Sequence, residues 1–466
     1  MGVKLEINGF VFEKNAVQSN RYYWACELRR NKQYSCKSRI ITVYDRESEK
    51  HTLVSRNDKE HNHDPDVLRA NVANVINIIK QDSIEHTTKK PSQIINDSIA
   101  TTLPEIRAYL PTQRKLRQVI HRSKKKMSKL IKEPENIDFE LDMSILQGDD
   151  DEEADLIVKD KMFNGKRIII YTTKVLLTIL GQSKFYLMDG TFKITPNVFT
   201  QLYTIHGSTH QNKTFPMVIG LLSHKDKASY DSFFEMILEC CESAGINLCP
   251  RYCIMDFEKA SRLSIRQYFD NVAIKGCNFH LGQIIYRRIQ SQGFQTLYGK
   301  NITFATEMKC LFALSYLSPD DIPAYFDEWR RNISPEAEVI AQWFSENYIN
   351  GTSTSAPKYE PHQWSTKELI DQNIPRTQNN AEAWHHRINT IAGANHIGFY
   401  KLSIQLIKEL KFSLMEVDKL SIGAPLPARK KKVLDKIYRI QGIINNQADY
   451  TKSGFLRAIG ANLRLM

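Results

Sequence analysis

KFYLMDGTFKIT, Lys184 to Thr195, is the stretch from which the rest of the chain can be read. Phe185, Tyr186, Leu187 and Met188 form an apolar, β-prone run that ends on Asp189, with Gly190 directly after it. Strand interiors disfavour aspartate, so a carboxylate at the end of a hydrophobic strand calls for a chemical explanation. The same signature returns in RYCIMDFEKA, where Tyr252 to Met255 lead into Asp256. A third acid, Glu382, stands in the first turns of a helix-like segment, NNAEAWHHRINT, Asn379 to Thr390. Taken singly, each aspartate reads equally as a cap on a following turn or helix. Taken with Glu382, the pair is what a two-cation phosphoryl-transfer site requires. Carboxylates a few ångströms apart repel, and divalent cations between them relieve the repulsion. Two such ions about 3.5–4 Å apart can activate an attacking oxygen and stabilise a leaving one. Hard oxygen ligands favour Mg²⁺ or Mn²⁺ over zinc.

Outward from this stretch, KFYLMD, FTQLYTIHGS and TFPMVIGLLS are three strand-like runs at hairpin spacing, preceded by a helix over Lys174 to Leu180. ASYDSFFEMILECCESAG follows as an amphipathic helix, with Tyr230, Phe233, Phe234, Ile237 and Cys241 on one face and Gly245 at its end. Strand RYCIMD, a helix to Phe269 and a short strand AIKGCNF complete the block. About a hundred residues then separate His280 from Glu382, and Met308 to Leu317, Ile322 to Trp329 and Ala337 to Tyr348 read as helices, with Trp329, Trp343 and Phe344 as core. On the Glu382 segment, Trp384 is placed to orient the acid, and His385 or His386 to touch DNA or face water. HIGFYKLSIQLIKELKFSLMEV, from His396, is a long amphipathic helix.

Toward the N-terminus the pattern changes twice. Short β-like runs (LEINGFVFE, RYYWACEL, YSCKSRIITVY, HTLVSR) carry Cys26, Cys36, His61 and His63. Two thiolates and two imidazoles suit tetrahedral zinc, and so small a sheet buries too little core to hold itself without a staple. The plainer alternative is a pair of core cysteines beside a solvated HNHD loop. Histidines in an H-x-H pair on extended chain point to opposite faces, so binding requires a bend, which Asp64-Pro65 offers. From Val67 onward helical periodicity takes over, ending in TQRKLRQVIHRSKKKMSK. There Arg114, Lys115, Arg117, Arg122, Lys124, Lys125, Lys126 and Lys129 wrap an apolar stripe of Leu116, Val119 and Ile120. Such a segment is either a solvated cationic helix or the last helix of a helix-turn-helix-like element entering a DNA groove. The acidic run Asp149 to Glu153 then predicts a flexible joint.

Composition fits this reading. The 466 residues carry a net charge of +12, which points to a polyanionic partner, and 42% hydrophobic content is ordinary for globular protein. Eight cysteines without framework spacing argue against a disulfide-stapled secreted protein. The opening MGVKLEINGF has no apolar signal-peptide core, and no run approaches about 18 apolar residues, so no membrane association is expected.

MDGTF at 188–192, MDFEKA at 255–260, CNFH at 277–280 and TQNNAEAWH at 377–385 together resemble the MULE (Mutator-like element) transposase domain, a DDE enzyme with an RNase H-like core. The resemblance covers roughly Lys184 to Asn389. It implies that Asp189, Asp256 and Glu382 are the catalytic, Mg²⁺- or Mn²⁺-binding acids, and that Cys277 and His280 are the family's C-x-x-H element, with a structural or DNA-positioning role preferred to a metal site of their own. The family commonly writes T-N-N before its glutamate, where this chain has Gln378 between Thr377 and Asn379. The cysteine and histidine spacing and the aromatic run Tyr22-Tyr23-Trp24 similarly resemble the FLYWCH-type zinc finger, a module found ahead of MULE domains.

The expected organisation is an α+β multidomain chain. It comprises a small β-sheet zinc finger (1–66), a helical, helix-turn-helix-like DNA-binding region (67–148), an acidic linker (149–160), the first part of an RNase H-like catalytic core (161–290), an α-helical insertion (291–375), a core helix carrying the third acid (376–400) and a helical C-terminal region (401–466). The expected function is metal-dependent strand cleavage and strand transfer on double-stranded DNA, by a homo-oligomer in the nucleus. The Lys124 to Lys126 run and Arg429-Lys430-Lys431-Lys432 are the candidate import signals. The alternative is a domesticated, catalytically inactive transposase-derived transcriptional regulator.

Overall fold

Alternation of apolar and polar residues makes the described residues between 4 and 56 an antiparallel meander: β1 (Lys4–Ile7), β2 (Phe10–Gln18), β3 (Arg21–Cys26), β4 (Arg39–Asp45) and β5 (Lys50–Arg56), paired in that order. The computed structural model describes residues 4–18, 20–45, 50–85, 89–128, 133–146, 156–209, 213–425 and 431–465. Asn8 and Gly9, both at positive φ (52° and 79°), form the two-residue turn between β1 and β2 that suits the twist of a hairpin. Phe12, Trp24, Cys26, Cys36 and Ile40 make up the buried core of the meander. The Trp24 indole N–H is satisfied by Thr42 Oγ1 at 2.8 Å.

Helices α1 (Val67–Glu85), α2 (Pro91–Thr101), α3 (Pro104–Arg107) and α4 (Gln113–Ser128) follow. Proline at the first position opens both α2 and α3, where its missing N–H costs nothing. Ile79, Ile94, Ile95, Leu116 and Ile120 close a small core among α1, α2 and α4. Residues 1–132 form one compact unit and residues 133–466 another.

The second unit contains α5 (Met143–Leu146), β6 (Leu156–Phe163), β7 (Lys166–Thr173), α6 (Lys174–Gln182), β8 (Phe185–Thr191), β9 (Gln201–Ser208), β10 (Thr214–Leu222), α7 (Lys227–Ser243), β11 (Tyr252–Met255), α8 (Lys259–Tyr268) and β12 (Ala273–Gly276). Its seven strands lie in the order β12-β11-β8-β9-β10-β7-β6. β11 runs parallel to both β8 and β12, and the remaining neighbours are antiparallel.

Two strands precede the run expected to be the first. Leu156 to Asp160, assigned above to the acidic linker, belong to β6. Asn164 and Gly165, at φ 47° and 70°, turn β6 back into β7. An Asn-Gly pair between apolar runs is a strong hairpin signal, and it marks this correction in the sequence itself. The acidic run Asp149 to Glu153 lies outside the described residues. Helix α7 follows its expected span, with Tyr230, Phe233, Phe234, Ile237 and Cys241 all buried and Gly245 at φ 70° just beyond its end.

Gly220, in the middle of β10, has no room for a side chain, since a Cβ there would lie 2.5 Å from the Phe233 ring. We expect Gly220→Ala to destabilise the second unit by about 1–3 kcal/mol through overpacking, read as a lower denaturant midpoint with an unchanged slope.

The remaining helices are α9 (Asn278–Ser291), α10 (Gln295–Lys300), α11 (Ile302–Ala313), α12 (Ile322–Arg330), α13 (Pro335–Phe344), α14 (Lys367–Asp371), α15 (Asn379–Ala392), α16 (Phe399–Ser421), α17 (Lys431–Asn445) and α18 (Lys452–Gly460). Residues 291–375 are mainly helical, and Trp329 and Phe344 are in the core there. Trp343 is only partly buried, with the Arg288 guanidinium over its ring. The C-terminal region does not stand apart. α16 reaches the sheet, where Ser403 Oγ meets the Tyr171 hydroxyl at 2.7 Å, and Phe455, Leu456 and Ile459 of α18 complete the same core as Trp329 and Phe344. Among the described residues no helix is long and apolar enough to cross a membrane.

Candidate metal centre and candidate active site

In the first unit β3 ends on Cys26, the loop after it presents Cys36, and the chain beyond β5 brings back His61 and His63. The bend that turns both imidazoles inward lies at Asn62 and His63 themselves, just before Asp64-Pro65. Cys26 Sγ is 3.3 Å from His63 Nε2, Cys36 Sγ is 3.4 Å from His61 Nδ1, and the two ring nitrogens are 3.2 Å apart. Ligands at ordinary zinc distances define a tetrahedron with edges of about 3.6 Å, so the four atoms fit one zinc ion. Neighbours fix the rings: Phe10 stacks on His61 at 3.7 Å, and His63 Nδ1 lies 3.0 Å from the Asp64 carbonyl, which leaves Nε2 as the donor. Burial pushes the Cys26 thiol up to about 12 and holds the His61 imidazole down to about 4.

The second unit assembles a different cluster at one end of its sheet. Met188 pairs with Met255 across the parallel β8 and β11 ladder, so the next residues, Asp189 and Asp256, emerge side by side. Ligand atoms of Asp189, Asp256 and His280 lie within 4.8 Å of one another, and so do those of Cys277, His280 and Glu382. The three acids therefore meet through His280, on the first turn of α9, which is common to both groups. His280 Nδ1 is 2.5 Å from Asp256 Oδ1, an ion contact without hydrogen-bond angles, and its Nε2 is 3.8 Å from Glu382 Oε1. The C-x-x-H element is thus part of the acidic cluster.

Electrostatics follow from this packing. Burial opposes charge on His280, but the Asp256 carboxylate and Cys277 outweigh it and push the imidazole up to about 11. Burial, reinforced by Asp189 and Asp256, raises the Glu382 carboxyl above the ordinary range against the pull of His280. Asp256 Oδ1, His280 Nδ1 and Glu382 Oε1 are all shut off from water with no hydrogen-bond partner. Asp256 Oδ1 is met by the His280 ring, whereas Glu382 Oε1 is a buried oxygen without a hydrogen-bond partner on a converging set of carboxylates, which a divalent cation would satisfy, so the acids fit Mg²⁺ or Mn²⁺.

Asp189 is held more tightly than its partner. Its Oδ1 accepts the Gly190 N–H at 3.0 Å, and its Oδ2 lies 2.9 Å from His385 Nδ1, whose other nitrogen is 3.2 Å from Thr204 Oγ1. Of the two histidines, His385 is buried against Asp189, whereas His386 is exposed. The position of His385 three residues after Glu382 on one helix was the available signal, because such residues share a face.

Trp384 does not contact Glu382. Its indole N–H donates to Glu409 Oε2 at 3.0 Å, and Glu409 also receives the Arg387 guanidinium and the Gln405 amide. Glu409 is therefore a buried anion that ties α15 to α16. We expect Glu409→Ala to cost about 2–4 kcal/mol by leaving an indole N–H and a half-exposed guanidinium unpaired, read by thermal and denaturant unfolding.

A cavity of about 370 Å³ opens onto Asp189 and Asp256, with Phe192, Lys225, His280 and Arg287 in its wall. Lys225 lies over the Phe192 ring at 4.7 Å. In the first unit Arg114, Lys115, Arg117 and Arg122 are exposed on α4, while Leu116 and Ile120 face its core. Lys124, Lys125 and Lys126 occupy the last turns of α4, whereas Lys129, Arg429 and Lys430 lie outside the described residues.

No curated protein matches the chain. Two family models do: the MULE transposase domain over residues 185–283 and the FLYWCH zinc finger domain over residues 1–63. The first spans Asp189, Asp256, Cys277 and His280 and ends before Glu382. Residues 1–63 match the FLYWCH zinc finger domain and bring Cys26, Cys36, His61 and His63 together as a Cys₂His₂ cluster that could hold zinc, residues 185–283 match the MULE transposase domain, and the two together support a transposase-like DNA-binding protein.

Proposed function

We propose that the chain is a DNA transposase of the MULE type, which hydrolyses a phosphodiester bond at the ends of a mobile element and joins the freed 3′-hydroxyl to target DNA. The observation that carries this reading is the convergence of Asp189 and Asp256, on adjacent parallel strand ends, with Glu382, brought by α15 to the same histidine. The strand order supports an RNase H-like core, since β10-β9-β8-β11-β12 is three antiparallel strands followed by two parallel to the first.

Asp189, Asp256 and Glu382 would hold Mg²⁺ or Mn²⁺, which supplies Lewis acidity at the attacking and leaving oxygens. The chain's own contribution is placement. Gly190 and His385 fix both oxygens of Asp189, and Lys225 and Arg287 put positive charge in the wall of the same cavity, where a phosphodiester backbone would enter. The exposed cations of α4 suit a sequence-independent grip on double-stranded DNA, and a nuclear site of action and assembly as a homo-oligomer on paired ends go with this reading.

The test is incubation of the full chain with labelled element-end DNA, a second DNA and Mg²⁺. The expected products are nicks ending in 3′-hydroxyl and joined molecules. Tight DNA binding with no cation-dependent cleavage would replace this reading by that of a domesticated regulator.

A further inference from the structure

Gln378, the residue at which this chain departs from the T-N-N pattern, is fully buried and occupies the N-cap of α15, four residues before Glu382. Its backbone carbonyl accepts the Glu382 N–H at 2.9 Å, in the first turn of the helix. Its side chain leaves that helix and reaches across the end of the sheet. The amide nitrogen donates to the Met188 carbonyl and, at 3.2 Å, to the Ile254 carbonyl. Met188 directly precedes Asp189, and Ile254 stands two residues before Asp256. The Gln378 backbone N–H meets Cys277 Sγ at 3.4 Å, at the start of the helix that carries His280.

One residue thus touches all four segments that bear the acidic cluster. Both amide protons are used, whereas its own Oε1 is buried without a partner. An orphaned amide oxygen costs about 1–3 kcal/mol, so apolar packing alone would favour a residue without it. A glutamine at this buried position is accounted for if its two donors do something packing cannot. They set the spacing of two strand ends whose carboxylates repel, by about 4 kcal/mol at 4 Å in a medium of dielectric near 20.

We propose that Gln378 is the positioning residue of the site: its amide ties β8 to β11 and thereby fixes the distances among Asp189, Asp256 and Glu382 at which divalent cations bind, with Cys277 as its thiol anchor. The inference rests on the reading of those acids as cation ligands. A misplacement of about 1 Å in such a set is enough to weaken it substantially. Cys277 then has a role that needs no metal of its own.

The test uses the full chain and Mn²⁺ alone, with bound ion counted by electron paramagnetic resonance, in wild type, Gln378→Met, Gln378→Asn and Asp256→Asn. Methionine keeps the length and removes both donors. The expected result is a half-saturating Mn²⁺ concentration raised tenfold or more in Gln378→Met and several-fold in Gln378→Asn. DNA affinity should stay within twofold of wild type, and end cleavage should be partly restored by excess Mn²⁺. A merely structural residue would lower the melting temperature and DNA affinity without moving the Mn²⁺ curve. If Gln378→Met does not fold, Gln378→Asn decides. A Mn²⁺ curve within twofold of wild type in the folded variant, with Asp256→Asn shifted, overturns the clamp alone. No difference between wild type and Asp256→Asn overturns both the clamp and the reading of the acids.

Discussion

Asp256→Asn should lower the proposed Mg²⁺-dependent cleavage of end DNA by at least about 10³-fold and leave the fold intact. The loss follows from what Asp256 contributes, a carboxylate oxygen within 4.8 Å of ligand atoms of Asp189 and His280. An amide in its place keeps the shape and removes the charge that a hard cation requires. Stability should fall, because the substitution removes the carboxylate that faces the His280 imidazole at 2.5 Å and holds it charged, a loss larger than the relief of repulsion on Glu382. The folded fraction at the assay temperature is therefore the internal control: cleavage lost in a variant that is still folded there places the effect in chemistry. Cleavage within tenfold of wild type would remove Asp256 from the reaction. The same variant should bind nonspecific duplex DNA no more weakly than wild type, since it adds no negative charge near a polyanion.

Both aspartates were legible in the sequence because a carboxylate at the end of a β-prone run contradicts local propensity, and such contradictions mark function. Their adjacency was not local information. It depends on β11 inserting beside β8 in parallel, a long-range pairing that the resemblance implied and the Met188 to Met255 register displays. Glu382 was identified by its helix, but its route into the cluster was not, because His280 comes from α9 and stands between it and Asp256. His385 and His386 were read as alternatives for a surface or DNA-facing residue, and His386 is the exposed one, because helix periodicity alone does not say which polar residue a sheet will cover. Burying His385 against Asp189 is a tertiary outcome. The β6 and β7 hairpin was missed although Asn164-Gly165 announced it, since the acidic run just before it drew the boundary too late. Gln378 stood out only as an irregularity, and its reach to two carbonyls on separate strands becomes visible only with the sheet assembled.

Removing zinc should unfold the meander and spare the second unit. The core of the finger consists of Phe12, Trp24, Cys26, Cys36 and Ile40, two of which are the candidate ligands, so little apolar burial remains once the metal is gone. Structural zinc contributes on the order of 10–16 kcal/mol in comparable small sites, more than such a core supplies alone. With a strong chelator, or in Cys36→Ser, amides of Arg21–Cys26 and of Arg39 to Val43 should lose hydrogen-exchange protection, whereas those of Ile168 to Tyr171 in β7 keep theirs. The pH dependence has a definite sign. Without metal, burial holds the Cys26 thiol protonated up to about 12, while His61 stays neutral down to about 4. At neutral pH the His61 imidazole is ready to bind, and the Cys26 thiol must release its proton as zinc enters. Affinity therefore falls as pH is lowered, and calorimetric heats of zinc binding should change with the ionisation enthalpy of the buffer. Retained protection in β3 and β4 after complete removal of zinc would mean that apolar contacts alone hold the finger, and that the two cysteines serve its core.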